Sequence, residues 1–216
     1  KTHISVIFLS GERAFKLKRA VAYSFLDFST LEARRIACGR ELEINRRTAP
    51  TIYKGVVPVT LADGQFAVGG DGEIVDWLVE MAQFDEATLF DRLVKVERGL
   101  RRPMIEGLAD AITEFHAQAE ISKTCGGADG IRKIAENNVK AFAALPDDVF
   151  SATDVNAMTV ETLTRIDSQH AVLDTRRERG CVRHCHGDLH LRNICLVDSQ
   201  PTLFDAIEFS DDFSEI

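Results

Sequence analysis

His186-Gly187-Asp188-Leu189-His190-Leu191-Arg192-Asn193, followed at Thr202-Leu203-Phe204-Asp205 by a short apolar run ending in an acid, is the stretch that decides how this chain is read. It places Asp188, Asn193 and Asp205 at a spacing suited to holding a hydroxyl nucleophile and magnesium ions together. An Asp in the His-x-Asp position can accept the proton of an attacking hydroxyl. An Asn five residues on can turn back to a metal, and an Asp closing the next strand can hold the ion that bridges two phosphates. Phosphoryl transfer asks little covalent help of a protein. It needs positioning and neutralisation of phosphate charge, which oxygen ligands and hard cations supply.

The flanking sequence supplies a frame for these residues. Residues 182–184 read as a short strand entering the loop, and Ile194-Cys195-Leu196-Val197 as a strand leaving it. Asp198-Ser199-Gln200-Pro201 reads as a turn, and Leu203-Phe204 as the returning strand. A hairpin then carries Asn193 at its start and Asp205 at its end, so both can face one cation. Taken singly, Asp188 and Asn193 read better as turn caps, and the full set in this order carries the catalytic reading. The same segment also spells H-x-H-x-D-x-H through His184, His186, Asp188 and His190, which makes a zinc-dependent hydrolase an alternative. Against it, the last His is displaced by one residue from the zinc-hydrolase pattern, and no His follows His190 to complete a binuclear site.

The chain has 216 residues, 45% hydrophobic and 28% charged, ordinary values for a globular protein with a real core. Its net charge of −8 argues against nucleic-acid and anionic-membrane partners, which want a basic face. No apolar run approaches the ~20 residues of a membrane span, and no signal peptide is visible. The absence of an initiator Met points to a fragment or a processed chain. Five cysteines without a C-x-x-C pair point to reduced thiols in a cytoplasm, with Cys181 and Cys185 as small core residues.

Earlier in the chain, residues 3–9 and 14–17 read as a hairpin through Ser10-Gly11-Glu12-Arg13. Lys16 and Lys18 share one face of its second strand, where charge marks either a solvated edge or a lysine reaching phosphate. A helix follows, capped by Ser29 or Thr30 and stopped before Pro50, with Leu31, Ile36, Leu42 and Ile44 as apolar contacts. Glu41 lies inside it, either in an ordinary surface ion pair or as the acidic partner of the strand lysine. Strands are expected over residues 56–60, 66–68 and 74–81. From Phe84 the pattern turns helical, with helices over 104–120, 131–145 and 154–179. The change near residue 83 is the candidate boundary between two lobes.

This order of features resembles the aminoglycoside phosphotransferase/choline kinase-like group. The stretches Thr2-His3-Ile4-Ser5, Phe15-Lys16-Leu17-Lys18, residues 26–32, Asn45-Arg46-Arg47 and residues 204–209 resemble a bacterial branch of it that can be fused to a C-terminal P-loop ATPase domain. The resemblance implies an α+β, bilobal protein-kinase-like fold. Residues 1–83 would form a β-rich N-terminal nucleotide-binding lobe, and 84–216 a mainly helical C-terminal lobe with the catalytic loop, short of its last helices. It implies an ATP- and Mg2+-dependent phosphotransferase acting on a hydroxyl of a small molecule. Asp188 would be the base, Asn193 and Asp205 the magnesium ligands, and Lys16 the phosphate lysine paired with Glu41. Lys18 stays open for that role, although only one of the two lysines is expected level with Glu41. Backbone groups at Glu80, Met81 and Ala82 would hold the adenine. Glu208, Asp211 and Asp212 read either as contacts for a cationic acceptor or as exposed turn residues. No G-x-G-x-x-G is present. A non-catalytic kinase-fold module that binds nucleotide or a partner domain, suggested by the short ends, is the first alternative, ahead of the zinc hydrolase.

Overall fold

Gly11 takes φ +59°, a backbone conformation that glycine adopts without strain, and folds β1 (Ser5–Ser10) back on β2 (Arg13–Lys18) in the computed structural model, which describes residues 2–23, 25–96, 99–146 and 149–215. The hairpin register sets Ser5 opposite Lys18 and Ile7 opposite Lys16. A two-stranded ribbon, β3 (Ala22–Tyr23) with β4 (Leu26–Asp27), leads into α1 (Leu31–Arg46). Thr30 caps α1 by accepting from the Ala33 N–H at 3.1 Å. Then come β5 (Tyr53–Ala62), β6 (Gln65–Val68) and β7 (Glu73–Ala82). Among the described residues the main sheet has five antiparallel strands in the order β1-β2-β7-β5-β6.

Strand alternation sorts β2 into two faces. Ala14, Lys16 and Lys18 face α1. Phe15 and Leu17 lie on the other face with Phe8, Val59 and Phe66. The core between sheet and helix joins Ala14, Cys38, Ala49, Ile52, Tyr53, Val79 and Met81 with Cys195. Ile36, expected inward, is instead half exposed.

After Ala82 the chain becomes helical, with α2 (Phe90–Val96), α3 (Arg102–Gln118), α4 (Gly127–Ala143) and α5 (Ala152–Glu178). β8 (Ile194–Val197) and β9 (Gln200–Leu203) then form a hairpin, and α6 (Asp211–Ser214) follows. The fold is α+β. The hairpin loop is tighter than the expected four-residue turn: Asp198 and Ser199 alone make it, both at positive φ, as a two-residue turn matched to strand twist requires. β9 accordingly starts at Gln200 and ends at Leu203, so Asp205 lies beyond the strand in an irregular segment. The hairpin belongs to two cores. Cys195 joins the sheet core, while Ile194 and Leu203 pack with Phe90 and Phe115.

The chain divides into two compact units, Lys1–Ala117 with Asp188–Ser210, and Gln118–Gly187 with Asp211–Ile216. The switch from strand to helix after Ala82 falls inside the first. In the second, α4 packs on α5, the Ala128 N–H donates to Asp174, and Ile166 is buried while Met158 is half exposed. Cys185 is buried there, but Cys181 is exposed rather than part of a core. Among the described residues, no helix is long and apolar enough to cross a membrane.

Candidate active site

Lys16 and Lys18 leave the same face of β2, and α1 lies across that face with Glu41 pointing into it. Lys16 Nζ donates to one Glu41 carboxylate oxygen at 2.7 Å, and Lys18 Nζ to the other at 2.6 Å. Both lysines are therefore level with Glu41, contrary to the expectation that only one could be. A carboxylate has two oxygens, and two long side chains can converge on them from positions i and i+2. Each lysine also holds a second acid. Lys16 reaches Asp205 at 2.5 Å, and Lys18 reaches Glu208. The result is a row of alternating charges, Asp205, Lys16, Glu41, Lys18 and Glu208. Glu208 is thus a buried partner of Lys18, not part of an exposed acidic turn.

The electrostatics follow from burial and order in the row. Burial alone would raise the Glu41 pKa, but the ammonium groups of Lys16 and Lys18 outweigh it and lower it to about 2. Burial works against the charge of Lys16, yet Asp205 and Glu41 hold it well above its usual value. Lys18 is raised in the same way by Glu41 and Glu208 against its burial. Glu208 goes the other way: burial raises it, Lys18 and, less strongly, Lys16 lower it, and nearby Glu41 raises it further. Two cations contact Glu41 and one contacts Glu208, which explains the opposite signs.

Three hydrogen bonds fix the segment that carries Asp205. The Phe204 N–H donates to the Asn193 carbonyl at 3.0 Å, and the Asp205 N–H to the Tyr53 hydroxyl at 3.2 Å. The Ala206 N–H donates to the Asn45 side-chain oxygen at 2.8 Å. Asp205 itself has φ +62°, a left-handed conformation that Asp tolerates better than most residues. Tyr53 and Asn45 have no place among the residues expected from sequence. Asn45 had a signal: it lies four residues after Glu41, on the same helix face, and is fully buried.

The loop before the hairpin brings Asn193 to Asp188. The Asn193 amide nitrogen donates to the Asp188 backbone oxygen at 2.9 Å and to its carboxylate at 3.2 Å. His190 accepts from the Arg192 N–H through Nδ1 and turns Nε2 toward Asp188 at 3.6 Å. Asp188 is half exposed and borders a cavity. Asp188, Asn193 and Asp205 supply hard oxygen donors of the kind magnesium prefers. Among the described residues, no group of three or more His, Cys, Asp or Glu side chains could hold a metal ion, so the H-x-H-x-D-x-H residues do not assemble as one.

Two cavities in the first unit meet at Lys16 and Asp205. One, of about 140 Å³, is mainly apolar and includes Ile7, Leu9, Ala14, Ile52, Met81 and Phe204 in its lining. The other, of about 300 Å³, is bordered by Asp188, Phe25, Ile207, Glu208 and Phe209 as well. Met81 and Ala82 line the apolar cavity; Glu80 does not, and pairs with Arg13 instead. The Ala82 N–H donates to the Ile52 carbonyl at 2.7 Å and the Gln83 N–H to the Glu12 carbonyl at 2.8 Å. Those two donors are committed within the sheet.

No family model matches the chain, and no solved structure matches it. It is similar to the uncharacterized proteins Mb2027c of Mycobacterium bovis and Rv2004c of Mycobacterium tuberculosis. Each is 32% identical over 219 residues, which cover 98% of this chain and 41% of the relative. The chain thus spans about two fifths of the length of the curated relatives it matches.

Proposed function

We propose that this chain is an ATP- and magnesium-dependent phosphotransferase of the aminoglycoside phosphotransferase-like kind, with a bilobal kinase-like fold and a small-molecule alcohol as acceptor. One observation carries the proposal: Lys16 is shared between buried Glu41 and Asp205 at the junction of two cavities, one apolar and one bordered by Asp188. The apolar cavity suits a nucleobase, and Lys16 stands where a phosphate chain leaving it would pass. Lys16 is 9% exposed and lines both cavities, whereas Lys18 is 1% exposed and lines neither. That favours Lys16 over Lys18 for phosphate contact.

Asp188 accepts the acceptor hydroxyl's proton, and the Asn193 amide holds the Asp188 carboxylate in place. Asp205 and the Asn193 amide oxygen would hold magnesium, which supplies charge neutralisation on the phosphates when bound. Glu41 keeps Lys16 charged and aimed at the cleft. Glu208 is taken up by Lys18. Cysteines outside any disulfide suit a cytoplasmic setting, and a fused or partner P-loop ATPase domain belongs to the same proposal.

Calorimetric titration with ATP, with and without magnesium, tests this directly. Magnesium should strengthen ATP binding to the wild type, and Asp205→Ala should abolish that gain while the protein stays folded. ATP binding that ignores magnesium in the wild type would overturn the proposal.

A further inference from the structure

Lys18 has a different environment from Lys16, two residues away. Its ammonium is enclosed by Glu41 at 2.6 Å, by Glu208, and by the Phe28 ring with its centroid 5.1 Å away. Enclosed in this way it cannot touch a nucleotide. What it joins is informative. Glu208 lies three residues after Asp205, in the same irregular segment, and is itself buried. The Asn193, Tyr53 and Asn45 contacts hold the near end of that segment at residues 204–206. Lys18 holds the far end. It also occupies one oxygen of Glu41, leaving the other for Lys16.

We propose that Lys18 and Glu208 are a positioning pair for the site, fastening the segment after Asp205 to β2 so that Asp205 and Lys16 keep the geometry that receives a metal–nucleotide complex. This rests on the phosphotransferase proposal above. Fold stability alone does not call for such a pair. Removing one partner of a buried ion pair is costly, but replacing both by neutral side chains of similar volume is often harmless to stability. A lasting loss of function after stability is restored therefore separates positioning from scaffolding.

The experiment compares wild type, Lys18→Met, Glu208→Gln, the Lys18→Met/Glu208→Gln double variant and Glu208→Asp. ATP affinity with and without magnesium is read beside the melting temperature. Each neutral single variant should lose melting temperature. The double variant should regain most of it, yet its magnesium-dependent gain in ATP affinity should stay about 10–100-fold below wild type, the range seen for residues that orient a metal ligand. Glu208→Asp keeps the charge pair but shortens the tether by one methylene, and should lose magnesium-dependent affinity with its melting temperature nearly intact. Wild-type magnesium dependence in Glu208→Asp or in the double variant would overturn the positioning role alone. Absence of magnesium-dependent binding in the wild type would overturn the phosphotransferase proposal and this role with it.

Discussion

Glu41 is a single carboxylate that serves two ammonium groups, and its consequences are measurable. Its pKa in the folded protein, about 2, lies below the ordinary 4.5, so the stability it contributes is fully present above pH 4.5 and is lost as pH falls toward 2. Glu41→Gln removes the acid that two buried ammonium groups share, leaving Lys16 with Asp205 and Lys18 with Glu208, and should destabilise the fold by up to about 3–5 kcal/mol at neutral pH. Urea unfolding at a series of pH values should show that deficit shrinking between pH 4.5 and 2. The lysines have the opposite sign. Both are raised above 10.5, so their contribution holds at neutral pH and is lost only as pH climbs through the higher folded values. In the proposed reaction Asp188 serves as the base rather than as part of the fold. Asp188→Asn should lower the transfer rate by about 10²–10⁴-fold while leaving ATP affinity unchanged, as rapid-quench and calorimetric measurements would show.

At the scale of elements, the segment after β9 shows how an irregular stretch is made rigid. It has no ladder partner, so its N–H groups are satisfied one at a time by Asn193, Tyr53 and Asn45, each from a different part of the first unit. Asn45→Ala removes the acceptor for a buried N–H and should cost about 1–3 kcal/mol in chemical denaturation. The left-handed backbone of Asp205 permits a cleaner comparison. Asp205→Ala and Asp205→Gly both remove the carboxylate, but only glycine relieves the strain. The Gly variant should therefore be the more stable by about 1 kcal/mol, with magnesium-dependent ATP binding lost in both. Equal stability of the two would show that the conformation is not strained.

For the molecule as a whole, ligand binding should appear as stability. ATP with magnesium at about a hundred times its dissociation constant would add ~2.7 kcal/mol, which in a chain of this size raises the melting temperature by about 5–10 °C. Scanning calorimetry of the wild type should show the full rise only when both are present, and Asp205→Ala should lose its magnesium-dependent part. A rise with magnesium alone, equal to that with ATP, would point to a metal site unrelated to nucleotide.

By itself the sequence determined what is local. Alternation put Lys16 and Lys18 on one face of a strand, Thr30 marked the start of α1, and the spacing from Asp188 to Asn193 set the loop that joins them. It also delimited most of the strands and helices to within a few residues. Tertiary structure decided the rest. Lys16 meets Asp205 across 189 residues of chain and Lys18 meets Glu208 across 190, so neither contact can be inferred from spacing. Periodicity says which way a side chain leaves its element, not which distant segment will be brought to it or whether water is excluded when it arrives. That is why Glu208 reads in sequence as one more surface acid, and why Asn45 and Tyr53 show their purpose only when the β8–β9 hairpin docks against α1 and β5. The register of the sheet and the seating of that hairpin place both lysines on one carboxylate, because a buried charge is stable only where opposite charges converge on it.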